Sequence, residues 1–158
     1  MEIKFAHVSI TAKDMNRLAQ FYEKVLNCAP AVPEQDFSGD WIEKGTGVEQ
    51  AQFKRVHLLK PGHGDYGPLL EIIEYSEVLE DNTTDKANKK GIRHIAFEVD
   101  SLEELKRRHD LVLENGGRNV GEITSQRVEG MGEVTFVYLS DPEGNIIELI
   151  NRKPFKNN

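Results

Sequence analysis

Cysteine is nearly missing from this chain: Cys28 is the only one in 158 residues. That excludes an internal disulfide and a thiolate metal cluster, and a lone free thiol fits a reducing compartment, so a cytoplasmic location is expected. Long apolar runs are lacking too. No stretch approaches the roughly 18 apolar residues of a membrane-spanning helix, and the opening MEIKFAHVSI has neither an apolar leader nor a cleavage signal. A soluble protein with no membrane partner is the expectation. Nor is there a basic excess: 20 Lys and Arg stand against 27 Asp and Glu, for a formal net charge of -7. Nucleic acid, whose phosphates need a basic footprint, is therefore a poor partner. An anionic small molecule stays compatible, because one pocket can be basic within an acidic chain. What is present is 38% apolar content, enough for the interior of one ordinary domain or two small ones sharing a core.

The chain repeats a plan. FAHVSITAKDMNRLAQFYEKVLN begins with Phe5, His7 and Ser9 alternating against Ala6, Val8 and Ile10, a strand pattern. Asp14 can cap a following helix whose apolar stripe is Met15, Leu18, Tyr22, Val25 and Leu26. IRHIAFEVDSLEELKRRHDLVLENGG does the same: His94, Ala96 and Glu98 face one way, Ile95, Phe97 and Val99 the other. Ser101 and Glu104 have capping-box spacing, Leu102, Leu105, His109, Val112 and Leu113 form the stripe, and Gly116 can end the helix. The two histidines and the two caps share one offset along the chain, so one strand-turn-helix unit is used twice.

The remainder of each half reads as strands. The first offers short strands near Trp41 to Lys44 and Gln52 to Leu59, a Gly/Pro loop KPGHGDYGP, and a strong strand LLEIIEY. The second offers a strand near Gly121 to Val128, then EVTFVYL, the turn DPEGN, and IIELI, with Asp141 and Pro142 opening the turn and Gly144 suited to positive φ. The expected fold class is α+β, with two βαβββ modules at residues 1–75 and 92–158, the latter including a C-terminal tail. A polar connector over 76–91, able to hold a short helical turn, joins them. Helices on one face of each sheet leave the other face for a concave surface or an interface between modules.

Phase along the strands then selects residues. Glu71 lies with Ile73 and Tyr75, Glu74 lies on the opposite face with Leu70 and Ile72, and Glu148 shares its face with Ile146 and Ile150. A glutamate inside an apolar strand is costly to bury unless paired, protonated or bound to a cation. With His7 and His94 in matching places, the chain offers two imidazoles and two carboxylates, a set suited to a divalent ion with open water positions. The bland reading is a satisfied structural histidine and an edge glutamate in each half, and the duplication weighs against it. His57 and His63 read as surface or loop residues, with HGDYG near a pocket rim, His109 as packing, and Cys28 as packing rather than a nucleophile.

HVSITAKDMNRLAQFYEKVL, LLEIIEY, GIRHIAFEVDSLEEL and FVYLSDPEGNIIELI together resemble the vicinal oxygen chelate superfamily, the fold group of glyoxalase I, bleomycin resistance proteins and extradiol dioxygenases. The resemblance covers nearly the whole chain. It implies two βαβββ modules around a metal-binding cup, closed within one chain or across a homodimer, with His7, Glu71, His94 and Glu148 as metal ligands. It also implies an oxygenated small-molecule substrate, such as a thiol adduct or a CoA thioester. Ni²⁺, Co²⁺ and Zn²⁺ fit this donor set best and Mn²⁺ is compatible.

The chemistry implied is a metal-dependent lyase or isomerase that transfers a proton through a metal-stabilised enolate or enediolate. Glu148 is the base on the glyoxalase analogy, and Glu49 is near the place of the second acid in methylmalonyl-CoA epimerases. Thr11 stands where glutathione-type glyoxalases carry an arginine, which counts against glutathione adducts. Lys54, Arg55 and Arg127 read as solvated charges that could serve an anionic substrate. Retention of both glutamates counts against extradiol oxygen chemistry, which uses two histidines and one carboxylate. A non-enzymatic metal-dependent binding or resistance protein is the alternative of a different class.

Overall fold

The computed structural model describes residues 3–79 and 86–154. Two compact units divide the chain, Met1–Glu80 and Asp81–Asn158. The first runs β1 (His7–Thr11), α1 (Met15–Leu26), β2 (Ala29–Phe37), α2 (Asp40–Thr46), β3 (Phe53–Leu59) and β4 (Leu69–Tyr75). Its sheet has the order β1-β4-β3-β2, with β1 parallel to β4 and the other neighbours antiparallel. The second runs β5 (His94–Glu98), α3 (Leu102–Glu114), β6 (Arg118–Asn119), β7 (Thr124–Val128), β8 (Gly132–Ser140) and β9 (Ile146–Lys153). Its order is β5-β9-β8-β6, with β7 also on β8. Each unit is a βαβββ module, so the duplicated plan and the α+β class hold.

Helix α1 forms where its apolar residues recur every three or four positions, and it buries Met15, Leu18, Ala19, Phe21, Tyr22, Val25 and Leu26. The sheet face toward it carries Ile10, Leu58, Leu70 and Ile72, all buried. Asp14 caps the helix as expected, its Oδ1 accepting from the Arg17 amide at 2.9 Å. A second carboxylate works at the same end: Glu74 of β4 accepts from the Met15 amide at 2.8 Å. This accounts for Glu74 on the helix face, where it satisfies an amide the helix itself cannot.

Three expectations need correction. Trp41 to Lys44 is helical rather than extended, within α2 between Gly39 (φ 91°) and Gly47 (φ 71°). Ile42 is the buried residue of α2; it joins Ala51 and Phe53 under Phe37, Ile73 and Tyr75, on the sheet face opposite α1. The apolar stripe of α3 is also narrower than expected. Leu105 and Val112 are buried, together with Arg108 whose Nε donates to Glu104 at 2.6 Å, while Leu102 and Leu113 are exposed. His109 is half-buried and its Nε2 lies 2.8 Å from Asn119 Oδ1 of β6, so it links helix to strand by a polar contact. Finally, β2 was not foreseen: its residues are almost all exposed and include Pro30 and Pro33.

The turn joining β8 to β9 is as expected, with Gly144 at φ 93°. Asp141, fully buried, accepts from the amides of Glu143 and Asn145, each at 2.9 Å, and from the Asn145 side chain at 2.8 Å. Those bonds fix the hairpin register on which Glu148 depends. The connector expected over 76–91 lies partly outside the described residues; Lys86 to Lys89 form a turn in which the Lys89 amide donates to the Lys86 carbonyl at 3.2 Å.

Candidate metal centre

In the first unit, the open face of the sheet gathers His7, His57, Glu71 and Arg55. The β3–β4 hairpin closes at Leu59 and Leu69, which sets His57 directly opposite Glu71, and the parallel β1 places Ser9 beside Glu71 with His7 one step before it on that face. Glu71 is 5% exposed. Its carboxylate is divided between neighbours: Oε2 lies 3.5 Å from His7 Nε2, while Oε1 lies 3.2 Å from His57 Nε2 and 3.4 Å from Arg55 Nη1. A buried carboxylate is tolerable here because each oxygen faces nitrogen.

One ligand atom from each of His7, His57 and Glu71 lies within 4.8 Å of the others. Nitrogen and oxygen donors sit about 2.0–2.2 Å from a zinc-like ion, so two donors on one ion are roughly 3–4 Å apart. The cluster needs only small side-chain adjustments to meet that spacing, and its chemistry fits a divalent ion of intermediate softness. His57 suits the role further. Burial, and then the positive charge of Arg55, push its pKa below the ordinary imidazole value against the opposing pull of Glu71, which favours the neutral ring a metal requires.

The second unit repeats the histidine–glutamate geometry with different residues on the neighbouring strand, where Phe136 takes the place of Arg55. Ala96 stands beside Glu148 as Ser9 does beside Glu71, and His94 Nε2 lies 3.2 Å from Glu148 Oε2. Opposite Glu148 on β8, where the first unit has His57, stands Tyr138. Its ring centroid is 4.9 Å from that of His94, compared with 6.0 Å between His7 and His57. Burial first, then the Glu148 charge, raise the Tyr138 pKa and keep the phenol protonated. Its phenol stands beside the His94–Glu148 pair.

Each half thus joins its own histidine to its own glutamate: His7 with Glu71, His94 with Glu148. The structure adds His57, which is buried rather than a surface or loop residue because β3 turns it onto the same face as Glu71. Glu49 lies exposed in the turn after α2. It precedes the Phe53 end of β3, and Phe53 alone is four residues, about 13 Å of strand, from His57. Lys54 pairs with Glu34 at 3.1 Å, Arg127 and His63 are exposed, and Thr11 ends β1. Cys28 is buried and its thiol is pushed up to about 12, chiefly by burial, which fits packing rather than nucleophilic chemistry.

Comparison with known proteins agrees with this architecture. A glyoxalase family protein from Bacillus cereus matches with a TM-score of 0.79 at 18% identity, over 98% of this chain and 97% of that one. A glyoxalase I mutant from Zea mays matches with a TM-score of 0.62 at 18% identity, over 92% of this chain and 45% of the longer maize chain. A fosfomycin resistance protein from Listeria monocytogenes, complexed with Mn(II) and sulfate, matches with a TM-score of 0.55 at 18% identity, over 96% and 93%. No curated protein matches the sequence. The sequence pattern of one family extends over residues 4–149. With both βαβββ units and that match in hand, the chain belongs to the Glyoxalase/Bleomycin resistance protein/Dioxygenase superfamily.

Proposed function

We propose that this chain is a metal-dependent lyase or isomerase of glyoxalase type, moving a proton at a carbon beside a carbonyl of an oxygenated small molecule. The observation that carries this reading is Glu71, buried and held between two imidazoles in an arrangement suited to a divalent ion. The proposed ligands are His7, Glu71, His94 and Glu148, with His57 able to join them. Ni²⁺, Co²⁺ and Zn²⁺ suit these donors, and the Mn(II) in the similarly folded fosfomycin resistance protein keeps Mn²⁺ among the candidates. Such an ion supplies a Lewis acid that lowers the energy of negative charge on neighbouring oxygens.

Glu148 is the proposed base. Glu71 is gripped by three side chains and its own is 7% exposed, whereas the Glu148 side chain is 14% exposed and meets His94. The more accessible carboxylate has more freedom to reach a proton and return it. The epimerase alternative requires a second acid near the ion, and the position of Glu49 beyond the end of β3 gives it no support.

Two measurements test the proposal. Elemental analysis of gently purified protein, then chelation and metal add-back, should find a divalent ion whose uptake falls in His7→Ala, Glu71→Ala and His94→Ala. Solvent-deuterium exchange into α-hydroxycarbonyl adducts and acyl-CoA thioesters should require the ion and Glu148. Tight ligand binding with neither exchange nor turnover would instead make the chain a binding or resistance protein. Full exchange by Glu148→Gln at normal metal occupancy would remove Glu148 from the role of base.

A further inference from the structure

Arg55 is left over from the metal centre, and its setting is unusual for an arginine that merely neutralises a buried acid. It lies two residues before His57 on β3 and shares the Glu71 face, with Ile73 as its partner on β4. A structural arginine–carboxylate pair is commonly bidentate at about 2.7–2.9 Å. Arg55 instead reaches Glu71 with Nη1 alone, at 3.4 Å, and gives Nη2 to Gln35 Oε1 at 3.0 Å. Its Nε is buried and has no partner among the described residues. One face of the guanidinium lies over the Phe37 ring, 4.3 Å from the centroid, and Phe37 stacks on Phe53 at 5.2 Å. The group is therefore held by the Phe37 ring as well as by its long contact to Glu71, and its side chain is still 26% exposed.

Charge then indicates what it awaits. Glu71 and Glu148, the two proposed carboxylate ligands, stand against a divalent ion and Arg55, so the loaded site still carries excess positive charge within a chain of net charge -7. Phe37 covers one face of the guanidinium, and among the described residues Nη1 and Nη2 each meet one acceptor, so each retains a second N–H for an oxyanion arriving from solvent.

We propose that Arg55 anchors a carboxylate of the substrate, so that the substrate class is an oxygen-chelating small molecule carrying a carboxylate a few atoms from its chelating oxygens. This inference rests on the metal-dependent reading above. Arg55 reads the part of the substrate that does not react, and so sets specificity rather than chemistry.

Two hydroxamates matched except for a terminal carboxylate separate these ideas. Propionohydroxamate and succinic monohydroxamate both chelate through adjacent oxygens, and only the second carries the anion. On Co²⁺-loaded protein, titration calorimetry should show the carboxylate-bearing ligand binding about tenfold more tightly, the value of one charge-assisted contact. Compared at saturating Co²⁺, because Arg55 also touches Glu71, Arg55→Gln should abolish that preference and Arg55→Lys should restore part of it. Equal affinity for both ligands on native protein, or a preference that survives Arg55→Gln, would overturn the assignment. So would an equal loss for both ligands in Arg55→Gln, which would make Arg55 a positioning residue for Glu71. If the protein takes up no Co²⁺, the metal reading itself fails and the Arg55 assignment falls with it; if it loads Co²⁺ and neither hydroxamate binds, the Arg55 assignment alone is overturned.

Discussion

Glu71 and Glu74 lie three residues apart on one strand, and removing each should have opposite consequences. Glu74 faces α1 and accepts the Met15 amide at 2.8 Å, a partly buried bond at the first helical position. A hydrogen bond to a charged group contributes about 1.5–3 kcal/mol, and a carboxylate at a helix N-terminus about 0.3–1 kcal/mol. These overlap, since the amides that donate also carry the positive end of the helix dipole. Glu74→Ala should therefore cost about 2 kcal/mol. At a urea slope of about 2 kcal/mol/M this lowers the midpoint of the metal-free protein by about 1 M. Glu74→Gln keeps an acceptor oxygen and loses the charge, so it should cost about half as much. Neither change should alter metal uptake. Glu71→Ala should abolish uptake of the ion by removing the carboxylate shared by His7 and His57. Urea titrations of chelator-treated protein, paired with Co²⁺ titrations monitored by absorbance, read both quantities. The face assignment is refuted if Glu74→Ala leaves the midpoint unmoved, or if it reduces Co²⁺ uptake as Glu71→Ala does.

The His57 imidazole has a folded pKa below its ordinary value of 6.5, so the unfolded chain takes up that proton first as pH falls. Its contribution makes the metal-free protein less stable as pH drops through about 6.5 toward the folded pKa, and His57→Gln should flatten that part of a series of urea midpoints between pH 7.5 and 5. Metal affinity should fall over the same range, as acid protonates the imidazole ligands, which calorimetry at several pH values would detect. Cys28, buried and raised to about 12, should resist a thiol reagent at pH 8 in the native protein and react at once in 6 M guanidinium. A Cβ on Gly117 would lie 2.5 Å from both Ser140 O and Val112 Cγ1, so Gly117→Ala should lower the thermal midpoint by several degrees, with α3 forced away from β8.

The legible parts of the fold were those where alternation and capping agreed. His7 and His94 each open a strand whose neighbours alternate cleanly, and Asp14 and Ser101 each cap the helix that follows. The phase of LLEIIEY likewise separated Glu71 from Glu74. What phase could not show was the residue across the strand. His57 becomes a neighbour of Glu71 only once β3 and β4 are folded back on the KPGHGDYGP loop with Leu59 opposite Leu69, and the same logic gives Tyr138 opposite Glu148. Treating that Gly/Pro loop as a hairpin would have been the available signal. Helix α2 was obscured because Ile42 is its single buried residue, so its sequence has almost no apolar period. Strand β2 was obscured for a related reason: paired on one side and exposed along most of its length, it has little apolar pattern to read.

Strand β2 is an edge of the first sheet, and such edges invite other chains to add a strand. Pro30 and Pro33 carry no amide hydrogen, and the pairing with β3 slips between Pro30 and Val32 and again between Val32 and Gln35. Glu34 and Asp36 add negative charge along the same stretch. An incoming strand would meet missing donors, a broken repeat and electrostatic repulsion from any acidic copy of itself. The features that hide β2 from a reader of hydrophobic pattern are the same ones that guard this border against aggregation.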